Sequence, residues 1–134
     1  MPHVLLIDDD QDLVAGNKAA LVAKGFRVSE AYSGNDGYKA LLKEMPDVVV
    51  LDCMMEEFTS GFELAHDIAL KYPTLPIIMV TGVHEHMSSA WQYGPEDKRW
   101  LPIHKWMEKP VPVAKLIEAI EELVKKKAET ASKP

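Results

Sequence analysis

Apolar residues are distributed along this chain in two rhythms. Three compact runs, Val4-Leu5-Leu6-Ile7, Val48-Val49-Val50-Leu51 and Ile77-Ile78-Met79-Val80, show no polar alternation. Short unbroken runs of this kind are the pattern of strands buried on both faces. A fourth stretch, 26–31, alternates in part through Phe26 and Val28 and predicts a more exposed strand, and 103–107 predicts a short last one. Between them the spacing changes to every third or fourth position: Leu13, Val14, Leu21 and Val22; Tyr38, Leu41, Leu42 and Met45; Phe62, Ala65, Ile68 and Ala69; and finally Val113, Leu116, Ile117, Ile120, Leu123 and Val124. These are the apolar stripes of amphipathic helices.

Punctuation agrees with the periodicity. Asp10 or its neighbour is placed to cap the first helix, and Lys24-Gly25 to stop it. Ser33 with Asp36, and Ser60 with Glu63, match capping boxes. Pro46 closes the second helix, Tyr72-Pro73 the third, and Pro112 opens the last. The pattern is poor over 82–102, where a short helix near 87–91 is broken by Tyr93-Gly94-Pro95. Residues 125–134, charged and small, are expected to end the last helix and then fray.

Strand and helix thus alternate five times, which predicts an α/β fold: a parallel sheet with helices on both faces and right-handed crossovers. In such sheets ligands bind beyond the carboxyl ends of the strands. The buried runs end there on polar groups: Asp8, Asp9 and Asp10 after the first, Asp52 after the second, Thr81 after the third.

Composition narrows the function without changing the fold. At 134 residues and 47% hydrophobic content the chain suits one domain, taken as 1–124 with a charged tail at 125–134. A net charge of −6 argues against a direct nucleic-acid surface and favours a cation or a basic partner face. One cysteine, Cys53, excludes an intramolecular disulfide and fits a reducing compartment. No run approaches the roughly 20 apolar residues of a membrane span, so the expectation is a soluble, cytoplasmic protein.

If Asp8, Asp9 and Asp52 converge, their like charges repel, and a stable ionised cluster calls for a divalent cation. Carboxylates with a backbone carbonyl and waters are the ligands of Mg²⁺, which often holds phosphate too. Thr81 and Lys109 would supply donors to a phosphoryl group beside it, leaving Asp52 as the nucleophile.

With these residues in this order, Asp8-Asp9, Asp52, Thr81 and Lys109-Pro110, the chain resembles the receiver domains of two-component response regulators over about residues 3–124. The resemblance implies a flavodoxin-like (βα)5 three-layer fold with strand order 2-1-3-4-5. It implies that Asp52 accepts phosphoryl from a histidine kinase or phosphotransfer protein. It also implies a metal site for Mg²⁺ or Mn²⁺ at Asp8, Asp9 and Asp52, completed by the backbone carbonyl of Met54. Thr81 and Trp106 match the family's switch pair, and Lys109 its phosphate-pairing lysine. Beyond self-phosphorylation and slow autodephosphorylation, the family is not enzymatic. The implied protein is a stand-alone switch, or a piece of a longer one, that signals by docking a downstream target near residues 82–107.

Two departures qualify the resemblance. Asp52 to Gly61 is one residue longer than the family's usual spacing, with Glu56 in its proline position and two acids, Glu56 and Glu57, beside the site. Thr81 to Lys109 is also longer than usual, enlarging a segment that carries Trp91, Tyr93 and Trp100. Those aromatics either pack the insert down or form a partner patch. Cys53 reads as a small inert core residue, His84-Glu85-His86 as a solvated loop, and Lys125-Lys126-Lys127 as the basic last turn of a helix. Two rival functions fit part of the pattern: a receiver-like binding module that works unphosphorylated, and an aspartyl-nucleophile phosphohydrolase. The second lacks the acid such enzymes carry two residues after the nucleophile, where this chain has Met54. Flavin binding is less favoured, since the first loop presents acids rather than hydroxyl and glycine donors.

Overall fold

The computed structural model describes residues 2–52, 60–81, 105–108 and 111–132. Its elements run β1 (His3–Ile7), α1 (Gln11–Ala23), β2 (Arg27–Ala31), α2 (Gly34–Lys43), β3 (Val48–Asp52), α3 (Ser60–Lys71), β4 (Ile77–Thr81), β5 (Lys105–Glu108) and α4 (Val113–Ser132). The five strands form one parallel sheet in the order β2-β1-β3-β4-β5, as the resemblance implied. The expected helix near 87–91 lies outside the described residues, as do residues 53–59 and 82–104 as a whole.

Side chains alternate along each strand, so the apolar runs feed two cores at once. Leu5, Ile7, Leu51 and Met79 pack with Leu41 of α2 and Ile68 of α3. Val4, Leu6, Val50 and Val80 pack on the opposite face with Leu21 of α1 and Ile120 of α4. β1 and β3 are buried throughout because they need both covers. β2 sits at the edge, and its partial alternation matches its half-exposed face.

The stripes run narrower than the spacing suggested. Val22 is 53% and Leu42 56% exposed, although Leu21 and Leu41 beside them are fully buried. One residue is a rotation of about 100° on a helix, so the neighbour of a core residue turns toward solvent.

Local chemistry sets the helix ends. Asp10 caps α1, its Oδ1 accepting from the Leu13 N–H at 3.1 Å. Gly25 stops it with a φ of 97°, which a side chain would make costly. Ser33 caps α2 by accepting from the Asp36 N–H at 3.1 Å. Ser60 differs from expectation: it is already helical, so the residue preceding α3 lies outside the described ones. The last helix reaches further into the charged segment than expected, running past the predicted last turn at Lys125-Lys126-Lys127 to Ser132. Its final stretch is rich in Lys, Ala and Glu, which lose little freedom in a helix.

At the amino edge of the sheet, His3 is buried. Its N–H donates to Asp47 Oδ2 at 2.7 Å and its Nε2 shares a 2.6 Å hydrogen bond with Ser29 Oγ, tying β1 to β2 and to the entry of β3. Beside it Arg27 pairs with Glu44 and holds that exposed carboxyl below its ordinary range. Because the folded value is the lower one, whatever this pair contributes is present above the unfolded carboxylate range and lost as pH falls through the folded value.

Truncating Ile78, fully buried in β4, to Ala is expected to cost about 2–5 kcal/mol in urea unfolding with an unchanged m-value. Leu42→Ala on the exposed flank of α2 is expected to stay within about 0.5 kcal/mol of wild type.

Candidate functional site

The site is made by register. Ile7 of β1 pairs with Leu51 of β3, and Asp52 pairs with Val80 of β4. One step further along two parallel strands, Asp8 and Asp52 leave the sheet side by side. The ladder still holds Asp8 there, since its N–H donates to the Ala31 carbonyl at 3.1 Å. Its Oδ1 accepts from the Asp10 N–H at 2.9 Å, a tight Asx-type turn that aims the carboxylate inward. Thr81 ends β4 one residue beyond Val80 and pairs with Glu108 of β5.

Asp8, Asp9 and Asp52 each present a carboxylate oxygen, and these oxygens lie within 4.8 Å of one another. Asp8 is 8% and Asp52 4% exposed, whereas Asp9 faces solvent. Burial of two of the three carboxylates strengthens the mutual repulsion, so the arrangement favours a positive guest. Three carboxylate oxygens are a hard donor set suited to Mg²⁺ or Mn²⁺ rather than to soft thiolate-seeking metals. A cavity of about 500 Å³ opens beside the acids, with Leu13 and Asn17 of α1, Val80 of β4 and Leu116 of α4 on its walls.

The structure therefore brings together Asp8, Asp9 and Asp52. Asp10, read as a cap, is one. Trp106 lies on β5 opposite Met79, and Thr81 on β4, but their side chains fall outside what the structure describes. Met54, Lys109-Pro110, Cys53, Glu56, Glu57, His84-Glu85-His86 and the aromatics at 91, 93 and 100 lie outside the described residues. Asn17 was missed by sequence reasoning. Its only signal was helical spacing, since it stands two turns into a helix whose start faces the site. Among the described residues no helix is long and apolar enough to cross a membrane.

The response regulator receiver domain family matches residues 4–121. Among curated relatives, the transcriptional regulatory protein AfsQ1 of Streptomyces coelicolor is 41% identical over 81 residues, covering 60% of this chain and 35% of that protein. The transcriptional regulatory protein GlrR of Escherichia coli is 30% identical over 128 residues, covering 94% of this chain and 27% of its own. The chain thus spans about a third or less of these relatives. In fold it is similar to the CheY-like receiver domain protein of Methanospirillum hungatei, with a TM-score of 0.84 at 22% identity over 97% of this chain and 98% of that one.

Crowded carboxylates are a cost to the metal-free fold. Asp9→Asn, which removes the exposed charge while keeping shape, is expected to raise stability in chelator-treated buffer by roughly 1 kcal/mol. Thermal melts at low ionic strength check this; salt should shrink the gain.

Proposed function

Because the chain belongs to the receiver domain family of response regulators, which serves phosphorylation-dependent two-component signalling, we propose that Asp52 is its phospho-acceptor. The observation that carries the reading is the acid cluster: Asp52 stands at the carboxyl edge of a central strand with two further carboxylates within 4.8 Å. Asp8 and Asp9 hold the cation, with Asp52 and the Met54 carbonyl completing the protein's share. When bound, Mg²⁺ or Mn²⁺ supplies positive charge against which a phosphoryl oxygen can settle.

The chain's own groups do the rest. A carboxylate oxygen of Asp52 forms the new O–P bond as the P–N bond of a donor phosphohistidine breaks, and the electron pair returns to the imidazole nitrogen, which then takes up a proton. Asp8, fixed by the Asp10 N–H, keeps the neighbouring charge in place while Asp52 changes from carboxylate to acyl phosphate. Lys109 pairs with the phosphoryl group, the Thr81 hydroxyl donates to one of its oxygens, and Trp106 follows Thr81. Water later cleaves the acyl phosphate, resetting the switch. The donor is a histidine kinase or a phosphotransfer protein. The output surface is the region 82–107, where a protein target docks. The receiver unit is residues 1–124, followed by the charged segment 125–134, into which the last helix runs as far as Ser132.

Incubated with acetyl phosphate and Mg²⁺, the protein is expected to gain one hydroxylamine-labile phosphoryl group by intact-mass measurement, and none in chelator. Asp52→Asn is expected to gain none. Labelling of that variant to the wild-type level with the same lability would overturn the assignment.

A further inference from the structure

Gly37 breaks the local logic of α2. It lies inside the helix with no left-handed backbone to require it, and glycine there is a poor choice over alanine on helix propensity alone. The reason is steric. A Cβ at position 37 would stand 2.6 Å from Ile7 Cδ1, 3.0 Å from its Cγ1 and 3.1 Å from its Cγ2. Ile7 is 1% exposed, the last residue of β1, and held in register between Ala31 of β2 and Leu51 of β3.

These distances leave few ways out. The closest contact, at Cδ1, governs: Ile7 is enclosed in the core and a β-branched side chain is stiff at χ1, so Cδ1 has little room to turn away. The 3.0 and 3.1 Å contacts ask for only a few tenths of an ångström. The helix is also pinned, because the Ser33 cap and the Gly37 N–H to Ser33 carbonyl bond of 2.9 Å fix its first turn. The end of β1 is what remains to move, and it carries Asp8 and Asp9.

We propose that Gly37 is a positioning residue for the acid cluster: by offering no side chain it lets Ile7 seat fully under α2, and the seated Ile7 sets where Asp8 and Asp9 emerge. The inference rests on the reading of that cluster as a cation site. Mg²⁺ tolerates little departure from octahedral geometry, so a displacement of a few tenths of an ångström at two ligands weakens it disproportionately. Gly16 on α1 supplies the control, since a Cβ there meets nothing within 4 Å. Gly16→Ala therefore gains helix propensity without the contact.

The test measures Mg²⁺ affinity by calorimetry, and Asp8 and Asp9 amide shifts in the metal-free state, for wild type, Gly16→Ala, Gly37→Ala, Ile7→Val and the Gly37→Ala/Ile7→Val double variant. Expected are a loss of about tenfold in affinity with moved Asp8 and Asp9 amides for Gly37→Ala, near-wild-type values for Gly16→Ala and Ile7→Val, and recovery of most of the loss in the double variant. Wild-type affinity and unmoved amides in Gly37→Ala would overturn the proposal, as would a double variant no better than Gly37→Ala. Should Gly37→Ala fail to fold, rescue by Ile7→Val supports the contact and failure of that rescue refutes it. If the wild type itself binds no Mg²⁺, the cation reading falls, and the amide shifts alone decide whether Gly37 positions the acids.

Discussion

Parallel pairing of β1 with β3 is the constraint from which the rest of the structure follows. In an antiparallel pair the end of one strand meets the start of the next, but parallel strands in register end together, at the same edge. Pairing Ile7 with Leu51 therefore delivers Asp8 and Asp52 to one place, whatever those acids prefer. On their own they prefer separation. Like charges a few ångströms apart near a protein surface oppose each other by on the order of a few kcal/mol per pair. That opposition is overcome elsewhere, by apolar residues buried on both faces of the same strands.

The three consecutive aspartates after β1 show how finely the turn divides one residue type among roles. Asp10 turns its oxygen to the Leu13 N–H and becomes part of α1. Asp8 is pulled inward by the Asp10 N–H and becomes part of the buried edge. Asp9, between them, is left facing solvent. Asp10 thus joins helix and site through a single turn: its backbone holds Asp8 while its side chain starts α1.

Much of this was legible because each feature had a local cause. Unbroken apolar runs predicted central strands, and the acids that ended them predicted the edge where they would meet. Asp10, Gly25 and Ser33 announced helix ends through side-chain chemistry that acts over three residues. What was misread depended on longer reach. Val22 and Leu42 fit an apolar stripe, yet only the angle at which a helix lies on the sheet decides whether a flanking position is covered. The persistence of α4 to Ser132 was hidden by a composition that suits a solvated helix as well as a frayed tail. His3 carried no signal of burial at all, because its partners Ser29 and Asp47 are distant in sequence. Gly37 did carry one: an isolated glycine in a helical pattern invites the question of what comes close to it.

The surroundings of Asp52 also determine where a change in its charge would be felt. Its carboxylate is nearly buried, and the cavity beside it is walled largely by apolar side chains such as Leu13, Val80 and Leu116, with the exposed Asp10 and the half-buried Asn17 also lining it. In such a setting a field is screened weakly and reaches the elements that form the walls. Those elements are α1, α4 and β4, and β4 ends on Thr81 one residue past the partner of Asp52. The opposite face is insulated by packing, since Ile7, Leu51 and Met79 interpose a close-packed apolar layer between the acids and α3. A signal written as charge at this edge is therefore directed by the sheet itself, toward α1, α4 and the end of β4.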